Sequence, residues 1–525
     1  MPRGRRGQLT GADPAPMTVG PTTPPPGPFR RRLLRNTAAT AAANGWTMVL
    51  SLASVPFLLR GLGIQAFGVW ALLQSFSAVT GWLSLADLGV GLAATRHIAD
   101  HASRDDVDAR DRGIATTLLL CSTIGASFAL LVAVIGPTVF PGAFNVPASL
   151  ENPARFAVLV FSGQALFELI AGGAGACLDG LQRVDLSRLA DAGRRTLVVG
   201  AAATTALLGG GLPGVAIAAT SASAVGAVFA LLVLRRQVSH IPLRFDRSVA
   251  RQLLRYGRSV WSLNVSGVLH RTMDRLVVGV VLGPAAVALV EIATQVQNGV
   301  AAVLGAASYT VASGAAWLHG LGGPERLSQL VLRASRYACL VTLPLCALVS
   351  TLAAPIIATW LGPAYGDAAD LVRLALLYVA TQAALASGTN VLVGTGRAAR
   401  IVRPAIAAVV TNLVASVVLV RQFGVAGAFV ATLLSSIVLV PLLARLLATD
   451  LGVRPRDLLR ESVLPALAPA AGAAAIGGLA LLTPWPPAIQ LAVGGTGGLI
   501  AAGLLAAGLS LRSDERRELV RALSR

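Results

Sequence analysis

The sequence predicts an all-α polytopic membrane protein of about fourteen transmembrane helices. They form two six-helix bundles related by pseudo-two-fold symmetry, followed by two further C-terminal helices. Three observations predict this. Of 525 residues, 55% are hydrophobic, and the mean hydropathy is +0.71, far from the profile of a soluble domain. Apolar runs of the ~20 residues that a spanning helix needs recur along the chain with short polar breaks. Arginines cluster in alternate breaks.

In chain order the runs are 37–59, 66–86, 113–136, 156–178, 191–210, 213–234, 259–282, 286–308, 331–355, 371–394, 402–420, 425–445, 462–483 and 488–510. Cytoplasmic loops of membrane proteins are enriched in basic residues, which here are all arginine. Arg30, Arg31, Arg32 and Arg35 precede the first run, Arg104, Arg110 and Arg112 the third, and Arg183, Arg188, Arg194 and Arg195 mark the start of the fifth. Seven arginines occupy 235–258, and later clusters begin at Arg326, Arg397, Arg454 and Arg512. The opposite connections hold only Arg60, Arg155, Arg373 and Arg421. Both termini are therefore expected in the cytoplasm, which requires an even number of spans. The Arg-only, Ala- and Gly-rich composition suggests a GC-rich bacterial genome, so the expected location is the bacterial cytoplasmic (inner) membrane. The expected organisation is a disordered cytoplasmic tail over 1–32, an N-terminal bundle over 33–236, a cytoplasmic linker over 237–258, a C-terminal bundle over 259–447, helices 13 and 14 over 448–511, and a cytoplasmic tail over 512–525.

The net charge of +19 is explained by topology, and no nucleic-acid motif accompanies it. A chain without lysine has no P-loop and forms no Schiff base. Cys121, Cys177, Cys339 and Cys346 fall inside spans and match neither a disulfide framework nor a zinc spacing. Asp106 and Asp108 form a D-x-D within RDDVDARDR, whose alternating signs read as solvated surface. His97 and His101 stand four apart with no carboxylate at a useful position. The expectation is a protein that is not an enzyme and has no cofactor or metal.

Two hairpins repeat at nearly one shift. LGIQAFGVWAL from Leu62 resembles LGPAAVALVEI from Leu282, and GGLPGVAIAAT from Gly210 resembles QFGVAGAFVAT from Gln422, offsets of 220 and close to 213 residues. Six spans per half give the halves the same orientation, related by an axis along the membrane normal.

The seventh run holds His270, Arg271, Asp274 and Arg275. A charge at mid-bilayer costs about 2.5–3.5 kcal/mol on insertion scales, so these groups must face protein or water. Asn264, Gly267, Arg271, Asp274 and Arg275 share one helical stripe. Arg271 and Asp274 are placed to pair, leaving Arg275 as a net positive charge. The eighth run answers with Glu291, Gln295 and Asn298 at i, i+4 and i+7. Two readings stand: these residues line a cavity, where guanidinium groups suit phosphate oxygens, or they form a structural latch of interhelical ion pairs. Weaker cavity candidates are Glu168 with Gln164, Arg60, which is also placed to snorkel, and His270. Asp87 is read as a cap or bend.

The run from Leu33 to Asp100, and within it LGIQAFGVWAL and LSLADLGVGLAATR, together with MDRLVVGVVLGPAAVALVEIAT from Met273, resembles the polysaccharide flippases of the multidrug/oligosaccharidyl-lipid/polysaccharide exporter superfamily. That resemblance spans roughly 33–510 and implies two six-helix bundles around a central cavity. It implies movement of polyprenyl-diphosphate-linked oligosaccharide from the cytoplasmic to the outer leaflet for cell-surface polysaccharide biosynthesis, by alternating access through a cationic cavity. The implied partners are membrane lipid, the lipid-linked glycan, and polysaccharide polymerase and glycosyltransferases. An ion-coupled multidrug-type exporter or a lipid II flippase shares the fold. A membrane-embedded glycan polymerase or ligase would want a larger exported loop than 137–155. Glu291, Asp274 and His270 are candidates for a coupling site, proton or sodium, and the glycan itself has no readable code.

Overall fold

The computed structural model describes residues 27–77, 81–238, 244–320 and 324–510; inside its helices, the side chains of 27–34, 36–38, 258–260, 262–264, 266, 270–271, 306–320 and 324 are outside the description. With no water in the hydrocarbon core to satisfy the backbone, long apolar runs close their hydrogen bonds internally as helices. The first half comprises α1 (Gly27–Ser75), α2 (Val90–Ser103), α3 (Val107–Ala143), α4 (Ala148–Gly180), α5 (Val184–Leu207) and α6 (Gly211–Arg235). The second comprises α7 (Arg247–Leu282), α8 (Pro284–Gly320), α9 (Pro324–Thr351), α10 (Ala353–Trp360), α11 (Ala368–Gln382), α12 (Ala386–Gly394), α13 (Val402–Phe423) and α14 (Val425–Leu451). A short α15 (Pro455–Leu458) passes through a π-helical turn into α16 (Leu464–Leu481), and α17 (Pro487–Leu505) follows.

Among the described residues, ten helices are long and apolar enough to cross a bilayer, eleven if α11 and α12, bent by 50° at their break, make one span. The expected fourteen includes three further segments: α5 and α7, whose charged residues interrupt the apolar run, and the second run. That second run, expected as a helix over 66–86, is not continuous. α1 bends at Gly63 (φ 75°, ψ 165°) and ends at Ser75, and a 3-10 turn at Trp82–Asp87 leads to the left-handed pair Leu88 (φ 49°) and Gly89 (φ 75°) before α2. The break has side-chain causes. Ser77 gives its hydroxyl to Glu168 at 2.9 Å, and the Asp87 carboxylate accepts the Gly91 N–H at 3.1 Å, capping α2 as the sequence suggested. Irregular backbone at membrane depth is tolerated where protein or a cavity surrounds it.

Helices of the first half pack on one another, α3 on α4, α4 and α5 on α6, and α1 on α5; in the second half α13 packs on α14 and α7, and α8 on α9, α11 and α12. α16 lies against α9, and there Gly498 and Gly477 let Leu348 approach the added pair closely. The halves pack along α1 and α8, where Trp360 of α10 also donates to the Leu52 carbonyl at 3.1 Å, and they meet at two further seams. Near the α3–α4 and α7–α8 turns, Gly68 abuts the Pro284 carbonyl, Asn145 donates to the Val280 carbonyl at 2.7 Å, and the Phe144 ring lies against Gly279 of α7. On the Arg-rich side, Gly89 and Gly257 meet backbone to backbone, and Trp261 donates its indole N–H to the Leu85 carbonyl at 2.7 Å.

The internal repeat extends to hydrogen bonds. Arg183, after α4, reaches Gln237 beyond α6 at 2.5 Å; 214 residues on, Arg397, after α12, reaches the carbonyl of Asp450 at the end of α14 at 2.7 Å.

Candidate functional site

Between the halves lies a cavity of about 760 Å³, walled by α1, α4 and α5 on one side and by α7, α8, α11 and α14 on the other. Its lining is polar where the spans carry charge. Arg275, Asp274, Glu291, Gln295 and Asn298 line the second-half wall, while Glu168 and Gln164 line the first-half wall. Arg60 is exposed at the surface and stands outside the cavity lining. The side chains of Asn264, His270 and Arg271 are outside the described residues.

On the second-half wall, Arg275 Nε lies 3.0 Å from Glu291 Oε2, and Gln295, one turn along α8, donates to Glu291 Oε1 at 2.6 Å. Arg275, expected as a net charge, is thus paired across α7 and α8. Asp274 accepts from Thr432 of α14 at 2.9 Å, and Asn412 of α13 donates to the same hydroxyl at 2.8 Å. For Arg275 and Glu291, one ion pair both links helices and faces the cavity.

The first-half wall holds three arginines that sequence reasoning had used only to mark topology, together with an aspartate it had not considered. Arg188, Asp191, Arg194 and Arg195 belong to α5 and line the cavity. Arg194 lies 3.6 Å from Glu168 and 3.1 Å from Asp191, and Arg195 shares Asp191 at 2.8 Å. Glu168 also accepts from Gln164 at 3.0 Å. The available signal was the position of Arg194 and Arg195 inside the fifth apolar run, three and four residues after Asp191. Asn412 and Thr432 carried no such signal. In charge, the described lining sets Arg188, Arg194, Arg195 and Arg275 against Glu168, Asp191, Asp274 and Glu291, so it is balanced where a cationic cavity was expected.

Outside the cavity, Asp106 caps α3 by accepting the Ala109 N–H at 3.0 Å, and that hydrogen bond holds its carboxyl below the usual carboxylate range. Its D-x-D is a helix start. The rings of His97 and His101 lie 4.5 Å apart, and no group of three or more His, Cys, Asp or Glu able to hold a metal occurs among the described residues.

The family is now fixed by comparison. The sequence model of the family described as polysaccharide biosynthesis protein matches residues 33–313, more than half of the chain, and the chain belongs to that family. No curated protein sequence matches it. Among solved structures, it is similar to the lipid II flippase MurJ in an inward closed conformation, at 13% identity and a TM-score of 0.73, covering 91% of this chain and 99% of that one. It is also similar to a multidrug resistance MATE family transporter of the MOP superfamily, inward-facing (16% identity, TM-score 0.64, 77% and 95% covered) and outward-facing (17%, 0.55, 82% and 97%). The fold is the polytopic all-α fold of that superfamily, as the sequence led one to expect.

Proposed function

We infer that the chain carries a polyprenyl-diphosphate-linked oligosaccharide across the bacterial cytoplasmic membrane for cell-surface polysaccharide assembly, with its termini in the cytoplasm. The observation that carries this reading is the cavity itself. Arginines face it from opposite halves, Arg188, Arg194 and Arg195 from the first and Arg275 from the second, alongside the amides Gln164, Gln295 and Asn298. Guanidinium groups match phosphate oxygens, amides match sugar hydroxyls, and the polyprenyl tail remains in lipid. Membership of a polysaccharide biosynthesis family supports the glycan. Transport requires no bond to be made: the halves exchange these two seams, and the cavity opens to one side and then the other. Asp274, buried against Thr432 and Asn412, is the candidate for a coupling cation. The polymerase and glycosyltransferases that consume and supply the glycan lipid are the expected protein partners.

Two other cargoes fit the fold. Lipid II, the cargo named for MurJ, shares the diphosphate-polyprenyl core. The second is a drug, as the name of the multidrug resistance neighbours suggests, and a cationic one would suit the lining carboxylates Glu168, Asp191, Asp274 and Glu291. The deciding experiment measures the leaflet distribution of lipid-linked glycan in cells depleted of the protein and rescued with wild type or with Arg271→Ala/Arg275→Ala. Accumulation on the cytoplasmic leaflet that only wild type clears supports the reading. An unchanged distribution on depletion sinks it.

A further inference from the structure

An arginine facing a cavity at membrane depth needs a counter-charge between transport cycles, because removing an unpaired guanidinium from water is costly. Both halves meet this need with the same three residue types. Arg275 lies on Glu291, which also accepts from Gln295; Arg194 lies on Glu168, which also accepts from Gln164 and Ser77. The glutamine stands one helical turn from its glutamate in each case, before it on α4 and after it on α8.

The partners are not equivalent once a pair opens. Glu291 parted from Arg275 keeps the Gln295 donor, and Glu168 parted from Arg194 keeps Ser77 and Gln164. Arg275 parted from Glu291 has no other acceptor among the described residues. Arg194 retains only Asp191, which Arg195 already shares. Each glutamate thus keeps neutral hydrogen-bond donors when its arginine leaves, though no counter-charge from them, whereas Arg275 needs an anion in place of Glu291.

We propose that Glu168 and Glu291 are place-holding anions: the phosphates of the cargo take Arg275 and Arg194 from them, the glutamates fall back on their glutamine and serine donors, and recapture of the arginines releases the cargo. This rests on the diphosphate reading above and adds the regulation of the same site. Because each arginine exchanges one oxyanion for another, binding is a swap of one ion pair for another, which keeps affinity moderate and release possible. The asymmetry also sets the sign of the cargo. A cation taking the glutamates would strand Arg275 beside a second positive charge.

The test uses the full chain in lipid nanodiscs, with undecaprenyl diphosphate as the anionic probe and tetraphenylphosphonium as the cationic one, and binding read by native mass spectrometry. Glu291→Gln, which frees Arg275 while keeping shape, is expected to bind undecaprenyl diphosphate about tenfold more tightly, the scale of one charge-assisted hydrogen bond. Gln295→Leu removes the fall-back donor and is expected to weaken binding several-fold with little change in thermal stability. These opposite directions separate exchange from a latch, in which both variants lower stability and binding together; that outcome overturns the proposal, as does unchanged affinity in Gln295→Leu should Glu291→Gln not fold. Wild type that binds tetraphenylphosphonium and ignores undecaprenyl diphosphate overturns the flippase reading itself, a result distinct from either.

Discussion

Arg194 of α5 lies 3.6 Å from the Glu168 carboxylate of α4, and each side chain is only 5% exposed. A buried pair of this kind adds little net stability over an apolar pair of the same shape, but breaking it leaves a charge without compensation. The neighbours make the two single losses unequal. Without Glu168, Arg194 still has the carboxylate of Asp191 at 3.1 Å; without Arg194, Glu168 loses that guanidinium and keeps the neutral donors Ser77 and Gln164. Arg194→Ala is therefore expected to cost about 3–5 kcal/mol in unfolding free energy. Glu168→Gln should cost far less, and Arg194→Met/Glu168→Gln should recover most of the loss. Thermal unfolding in detergent with all three variants checks this; equal losses for the two single variants would refute the assignment of Asp191 as second partner.

The repeated clamps differ in one respect that stability should register. Asp450, whose side chain is 1% exposed, holds Arg400 at 2.7 Å, while its counterpart Gln237 is neutral. Arg400→Ala strands a buried carboxylate and should cost about 3 kcal/mol. Arg183→Ala breaks a hydrogen bond to a neutral amide and should cost about 1 kcal/mol. Denaturation of the two variants side by side reads the difference.

Asp106 carries a pH dependence whose sign is determined. Its carboxyl is held below the ordinary value of 3.8 chiefly by the Ala109 N–H, so its stabilisation of the α3 start is present above that value and lost as pH falls through the depressed one. Asp106→Asn preserves the cap and removes the titration, while Asp106→Ala removes both. Limited proteolysis within 104–108 from pH 7 to pH 3 should show protection that vanishes with acid in wild type, persists in Asp106→Asn and is missing throughout in Asp106→Ala.

How much of this was legible in the sequence follows from what each residue costs in a bilayer. Apolar runs such as α3 and α14 have no alternative to helix at membrane depth, so their existence could be read directly. Asp274, Arg275 and Glu291 stood out because charge in an apolar run is expensive and demands a polar neighbour. Arg188, Arg194 and Arg195 were read for topology alone for the converse reason. Near a span's end an arginine is cheap, and counting it toward topology says nothing about whether its side chain turns to the headgroups or into the bundle. The broken second run was hidden because the break arises from tertiary partners, Ser77 with Glu168, that no local pattern encodes. Thr432 and Asn412 are residue types common enough in membrane helices to carry no signal alone.

The contacts between halves on the α3–α4 turn side make the last prediction. A Cβ on Gly68 would collide with the Pro284 carbonyl, and Asn145 spans the same seam to Val280. If this seam closes the cavity on that side, loosening it should admit a reagent to Gln74, which lines the cavity. The native cysteines are all buried, so a Gln74→Cys variant labels against a low background. In vesicles of defined orientation, adding Asn145→Ala should raise labelling by a membrane-impermeant maleimide from the α3–α4 turn side several-fold. Gly68→Ala should raise it further, because backbone cannot yield as a side chain can. Gly257→Ala pries apart the seam with Gly89 on the Arg-rich side and should raise labelling from that side alone. Equal labelling from both sides in all three variants would mean that these glycines merely pack helices and that the cavity is closed elsewhere.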